Sequence, residues 1–240
     1  KIIREYSMDE IENLSEDERM RTGLRHSDYK AIERFDDFET SNKGTLLELK
    51  NLIFKRITKI ILSIEDLKFC YGNIIGIVGE NGIGKSTLAK IICGLYKENK
   101  GQILKDDENL NIKSRLNESL LIMQEVNYQL FTDSVKDEIV LTSNIKDDYV
   151  LDTWLKDMEL KNISDRNPHT LSGGQKQRVI ILSALLSDKK ILFFDEPTSG
   201  LDYRNMKIVA KNIKKVKEED KLILIISHDV EFLESVCDKV

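Results

Sequence analysis

The order of apolar runs along this 240-residue chain predicts an α/β fold with a mostly parallel sheet covered on both faces. Three observations predict it. From residue 46 onward, short apolar runs alternate with longer amphipathic stretches. One run, Ile74–Val78, passes directly into a glycine-rich turn and then an apolar helix. Another, Ile191–Phe194, ends on two adjacent carboxylates.

The first 43 residues stand apart, with 12 acidic and 8 basic side chains that hold most of the net charge of -5. The capping boxes Ser7-Met8-Asp9-Glu10 and Ser15-Glu16-Asp17-Glu18 each predict the start of a short helix. Sparse apolar residues (Ile11, Leu14, Met20, Leu24) leave such helices little to bury. Residues 1–43 therefore read as a linker or docking arm, and 44–240 as the domain. Leu46–Phe54 and Lys59–Phe69 alternate partially, as half-buried strands do. Ile74–Val78 is continuously apolar, as in a strand buried on both faces. Ser86–Leu95 follows as a helix. Gln102–Leu104, Leu120–Met123, Ile191–Phe194 and Leu222–Ile226 read as further strands, and Asp147–Leu160, Gly173–Leu186 and Tyr203–Lys217 as helices. Trp154 is a core anchor on the first of these helices. On the last, the lysines at 207, 211, 214, 215 and 217 oppose an apolar stripe, the pattern of a solvated outer helix.

An acidic balance argues against nucleic acid as the main partner, because phosphate binding leaves a basic excess. Cys70, Cys93 and Cys237 have neither metal spacing nor a disulfide pattern, which points to a reducing, cytoplasmic setting. Apolar runs such as Leu222–Ile226 are far too short to cross a bilayer.

The chemistry concentrates in three segments. In Gly79-Glu80-Asn81-Gly82-Ile83-Gly84-Lys85-Ser86-Thr87, glycines 82 and 84 lack the β-carbons that would keep backbone N–H groups from turning around a phosphate. The helix N-terminus adds partial positive charge, Lys85 can bridge β- and γ-phosphates, and the Ser86 hydroxyl can ligate Mg²⁺. In Ile191–Glu196, Asp195 would hold Mg²⁺ through water, and Glu196 would polarise an attacking water. In Leu171–Arg178, Ser172 and Gln175 form a capping box around two glycines. Glycines in a first turn cost helix stability and leave amides bare, which suits a docking anion.

These segments resemble those of ATP-binding cassette (ABC) ATPases, from about Leu46 to the C-terminus. Residues 79–87 are similar to the family's Walker A motif, 191–196 to Walker B and 171–175 to the LSGGQ signature. Ser199-Gly200-Leu201-Asp202 resembles the D-loop, Gln124 the Q-loop glutamine and His228 the switch histidine. The resemblance implies a P-loop NTPase (RecA-like) core with a small N-terminal antiparallel β subdomain and an inserted α-helical subdomain at about 125–170. It implies ATP held by Asn81, Gly82, Gly84, Lys85, Ser86 and Thr87, with Ser86, Gln124 and Asp195 on Mg²⁺. Catalysis would rest on Glu196, His228 and Gln124. Ser172 and Gly174 would act on the nucleotide held by a second cassette in a head-to-tail pair, and Gln175 and Asp202 would also take part in nucleotide binding.

Residues 124–132 resemble the Q-loop region of energy-coupling-factor (ECF) importer ATPases, where a transmembrane coupling subunit docks. There Tyr128, Leu130 and Phe131 either line the docking groove or form subdomain core. The reading is thus the ATPase of an ECF-type importer at the cytoplasmic face of the membrane, with no nucleic-acid partner. The alternative is an ABC-type ribosome- or translation-associated ATPase. Residues 1–25 resemble the end and linker of a preceding cassette, so the chain reads as the C-terminal half of a tandem two-cassette polypeptide. One departure is Arg56, which stands where the family usually stacks an aromatic residue on adenine; Tyr71 is a poor substitute.

Overall fold

The computed structural model describes residues 15–22, 45–143, 145, 147–217 and 221–240. Through them run α1 (Glu16–Thr22), β1 (Leu46–Arg56), β2 (Lys59–Cys70), β3 (Ile74–Ile77), α2 (Lys85–Ile92), β4 (Lys100–Lys105) and β5 (Glu108–Asn109). Then come α3 (Ile112–Glu118), β6 (Ser119–Ile122), α4 (Val135–Thr142), α5 (Asp148–Asp157) and α6 (Gly173–Leu185). The chain continues through β7 (Ile191–Asp195), α7 (Tyr203–Val216), β8 (Leu222–Ile226) and α8 (Val230–Val236). Three short 3₁₀ turns lie between β6 and α6, at Val126–Gln129, Lys161–Ile163 and Pro168–Thr170.

Two sheets form. One is antiparallel in the order β2-β1-β4-β5, the other parallel in the order β3-β8-β7-β6. The α/β class and the antiparallel subdomain expected from the sequence are both present. In the parallel sheet every residue of β8 is buried, which explains its unbroken Leu222-Ile-Leu-Ile-Ile226 run. Alternate residues serve opposite faces. Ile223 and Ile225 join Leu192 and Phe194 in the core beneath α6, α7 and α8. Leu222 and Leu224 join Phe193, Ile91 and Ile92 in the core shared with the antiparallel sheet.

Register in the parallel sheet positions the site. Ile77 pairs with Ile226, Ile226 with Asp195, and Phe194 with Ile122. The four strands therefore end level, and the segments that leave them at 78, 123, 196 and 227 emerge along one edge. Open α/β sheets bind ligands at that edge.

Several elements end differently from the sequence expectation. The helix expected over Ser86–Leu95 stops at Ile92. Beyond it the Leu95 and Tyr96 amides both donate back to Lys90 O, and the buried Arg115 donates to Ile91 O at 2.7 Å. These bonds satisfy the terminal carbonyls and end the helix. The helix expected over Asp147–Leu160 ends at Asp157, where Glu159 takes a φ of 52°. β5 and α3 were not anticipated, and α4 falls inside the expected helical subdomain without having been placed there; runs of two to eight residues are too short to show a period. Trp154 is buried as expected, with Lys215 Nζ 3.9 Å above its ring. In the arm, the Ser15 box opens α1, and Ser15 Oγ donates to Glu18 Oε2 at 2.8 Å. The Ser7 box and residues 1–14 lie outside the described residues.

β1 carries a bulge opposite Gly101. Its pairing with β4 skips from Lys50–Gln102 to Ile53–Lys100, leaving Asn51 and Leu52 facing one residue. Gly101 has a φ of 95°, and a β-carbon there would lie 2.5 Å from Asn51 O and from Leu52 Cα. Gly101→Ala is expected to cost about 2–4 kcal/mol in urea unfolding, because backbone atoms must move to admit the methyl group.

Candidate functional site

The segment from Gly79 to Gly84 joins β3 to α2. Gly84 caps α2 with a φ of 110°, and no side chain bonds the first-turn amides, so they stay open to an anion. A β-carbon at Gly84 would stand 3.2 Å from Ile61 O, so glycine is required by both angle and space. Lys85 follows at once. Its Nζ donates to Gly79 O at 2.6 Å and to Glu80 O at 3.0 Å. The ammonium is thus folded over its own loop, held by neutral carbonyls that a phosphate oxygen outbids.

A cleft of about 250 Å³ opens here. Its lining includes Asn81, Gly82, Gly84, Lys85, Ser86, Thr87, Gln124, Asp195, Glu196 and His228. Every candidate nucleotide, metal or catalytic residue predicted on those strand ends therefore meets in one place. Glu196 has a φ of 52°. This left-handed conformation costs a residue with a β-carbon about 1–2 kcal/mol. It is held by Glu196 N donating to Ile226 O at 2.8 Å and by Ser227 Oγ donating to Glu196 Oε2 at 3.1 Å. His228 Nε2 donates to Asn81 Oδ1 at 2.9 Å, with Lys85 Nζ 3.5 Å and Glu196 Oε1 3.8 Å away. One imidazole thus spans the phosphate-binding turn and the carboxylate.

Ser86, Gln124 and Asp195 bring a hydroxyl, an amide oxygen and a carboxylate to the cleft, hard donors of the kind Mg²⁺ takes. Among the described residues, no three His, Cys, Asp or Glu side chains group as a metal site.

Four candidates lie elsewhere. Ser172 and Gln175 form the expected capping box at the start of α6: Ser172 N donates to Gln175 Oε1 at 3.0 Å, and Gln175 N to Ser172 Oγ at 3.4 Å. Neither they nor Gly174 line the cleft, and Gly173 has open space around it. Asp202 caps α7, accepting from Asn205 N at 2.8 Å. Arg178 ties α6 to this region, donating to Met158 O at 3.1 Å and to Asn205 Oδ1. Burial lowers its pKa, opposed by the charges of Glu159 and Asp202.

Sequence reasoning missed Ile61, which lines the cleft, and Ser227, which orients Glu196. It also missed Gln129. That side chain donates to Leu121 O at 2.9 Å and accepts from Met123 N at 3.0 Å, so it fixes the strand end that presents Gln124. No local pattern marks these three. Arg56 is exposed beside the β1–β2 turn, outside the cleft lining. Tyr71 is buried, and the nearby aromatics Phe54 and Tyr96 stack on each other at 5.4 Å. Burial pushes the Cys93 and Cys237 thiols up to about 12, so neither is a nucleophile at neutral pH.

A second, apolar cleft of about 570 Å³ lies beside the Gln124 turn, lined by Leu95, Leu116, Tyr128, Phe131 and Leu141 among others. Tyr128 and Phe131 are each 76% exposed, whereas Leu130, grouped with them in the sequence reading, is buried core. Glu138 shapes the rim, accepting from the Phe131 and Thr132 amides at 2.8 and 2.9 Å.

Comparison with known proteins agrees with this geometry. The family profile described as ABC transporter matches residues 62–199. A Treponema denticola protein named as an ABC transporter ATP-binding protein is 42% identical over 206 residues, 85% of this chain and 42% of its own. The energy-coupling factor transporter ATP-binding protein EcfA1 of Mycoplasma mobile is 38% identical over 205 residues, 80% of this chain and 75% of its own. The solved structure of CbiO1 from Clostridium perfringens, described as part of the ABC transporter complex CbiONQ, aligns with a TM-score of 0.69 at 28% identity. It covers 80% of this chain and 82% of its own. The chain spans about half the length of several curated relatives it matches. With the phosphate-binding turn, the carboxylate pair and the matched profile in agreement, the chain belongs to the ABC transporter family, as a domain of its ATP- and Mg²⁺-binding ATPases.

Proposed function

We propose that this chain binds and hydrolyses ATP to power an importer of the energy-coupling-factor type. It does so by closing head to tail on a second cassette, carried in the same polypeptide or another copy, at the cytoplasmic face of the membrane. One observation carries the reading. The cleft gathers Lys85, Ser86, Gln124, Asp195, Glu196 and His228, while the Ser172–Gln175 turn stands outside it. A nucleotide site assembled from both surfaces therefore needs two copies of the fold.

Each residue then has a task. The open amides of α2 and Lys85 hold the β- and γ-phosphates. Ser86, Gln124 and Asp195 would hold Mg²⁺, which when bound would offset the negative charge of the phosphates. Glu196 accepts a proton from the water that attacks the γ-phosphorus, and His228 keeps that water in line as the bond to the β–γ bridging oxygen breaks. Ser172 and the Gly174 amide contact the γ-phosphate held by the partner cassette, and Asp202 lies along the same interface. The apolar cleft around Tyr128 and Phe131 takes a transmembrane coupling subunit. The likeness to EcfA1 and to CbiO1 of the CbiONQ complex supports the importer class.

Two experiments test this reading, both on the chain paired with a second cassette. Glu196→Gln is expected to slow phosphate release about 100-fold or more while ATP affinity, by calorimetry, stays within about twofold. Lys85→Ala is expected to weaken ATP binding about 10- to 100-fold, because it removes a charge-assisted contact to phosphate. Equal losses of binding and turnover in both variants would contradict the division of roles. In the second test, the wild-type protein should co-purify with a hydrophobic membrane subunit, and Phe131→Asp should abolish that recovery without changing ATP affinity. Recovery with ribosomes instead would overturn the importer reading.

A further inference from the structure

We infer that Arg19, in the arm preceding the domain, is a positioning residue for ATP hydrolysis, bolting together the helix that Asp202 caps and the helix that His228 precedes. This rests on the hydrolytic reading above but adds to it a residue far from the cleft.

α1 has seven residues, too few to persist alone in water. Its place on the domain is set by Arg19. The guanidinium lies 4.5 Å from the ring centroid of Tyr203 and pairs with Glu231. Lys207 approaches the same ring at 5.3 Å and pairs with Glu16 at 3.4 Å, so α1 is held to α7 at two points. Tyr203 directly follows Asp202, the residue that caps α7. Glu231 lies in the first turn of α8, which Asp229 caps and His228 precedes. Arg19 thus grips both helices within three residues of a candidate site residue.

The same two segments are already tied near the cleft. Thr198 Oγ1 donates to Asp229 Oδ2 at 2.8 Å, and Ser227 Oγ donates to Glu196 Oε2 at 3.1 Å. Arg19 supplies a further tie, from a segment remote in sequence. With side chains only 13% and 19% exposed, the Arg19–Glu231 pair is largely desolvated. Among the described residues, Arg19 Nε and Glu231 Oε2 also lack hydrogen-bond partners. A buried ion pair with unbonded atoms is an inefficient source of stability against an apolar replacement. What it does supply is a fixed geometry between α7 and α8, and hence between the Ser199–Asp202 loop and the His228 turn.

The test uses Arg19→Ala and Arg19→Lys in the full polypeptide, assembled with its second cassette. For Arg19→Ala we expect kcat to fall about threefold to tenfold, with ATP affinity unchanged within about twofold. Amide hydrogen exchange should quicken in residues 201–206 and 229–233 while residues 85–92 keep their protection. Arg19→Lys keeps the charge opposite Glu231 but loses the planar guanidinium over Tyr203, so both readouts should fall between wild type and Arg19→Ala. The inference is overturned if exchange in the two segments does not change. It is equally overturned if protection falls everywhere, residues 85–92 included, or if ATP affinity drops in step with kcat. A wild-type protein that binds ATP without turnover would instead defeat the hydrolytic reading, and with it the kinetic role of Arg19; the exchange measurement would still decide whether the tie exists.

Discussion

Everything in the site depends on the register of the parallel ladder. β3, β8, β7 and β6 end together because Ile77, Ile226 and Asp195 align in successive pairs and Phe194 aligns with Ile122. Each strand is anchored by apolar residues that leave water on both faces, so a slip of one residue would expose a whole alternating set. The register is therefore expensive to change. Because it is, four segments remote in sequence deliver Lys85, Gln124, Glu196 and His228 to one cleft.

On that rigid edge the chain holds local strain and a cationic side chain. Glu196 sits in a left-handed conformation that its neighbours enforce, through Ile226 O and Ser227 Oγ. Lys85 bonds two neutral carbonyls of its own loop and approaches His228. The Lys85 arrangement prepares the site for an anion. A phosphate is a stronger acceptor than a carbonyl, and it finds the amides of α2 already exposed.

α6 has a different logic. Its first turn is satisfied internally by the Ser172–Gln175 box, so its fold needs no ligand, and its glycines face open space or Leu201. Lys176 donates to Asn127 at 2.9 Å, joining this turn to the segment that carries Tyr128 and Phe131. Arg178 joins the same helix to Asn205 on α7. The Ser172–Gln175 turn, the apolar cleft and α7 are thus mechanically connected through one helix.

Local segments were legible because their physics is local. The turn at Gly79–Thr87, the strand ending in Asp195 and Glu196, and the Ser172 box each need only a few adjacent residues to adopt their form. The alternation of apolar runs determined the α/β class, since burial on both faces demands continuous apolar strands. Tertiary structure decided the rest. A cleft residue such as Ile61 enters through the closeness of β2 to the phosphate-binding turn, and Arg56 misses the cleft because the β1–β2 turn holds it outside. The 3₁₀ turn at 126–129 has no helical period to predict which way the following side chains face, so the exposure of Phe131 and the burial of Leu130 could not be read in advance. The pairing of Arg19 with Glu231 is likewise invisible in the chain, because ion pairs between distant segments follow from packing, and packing is set only once the core beneath α7 and α8 has closed.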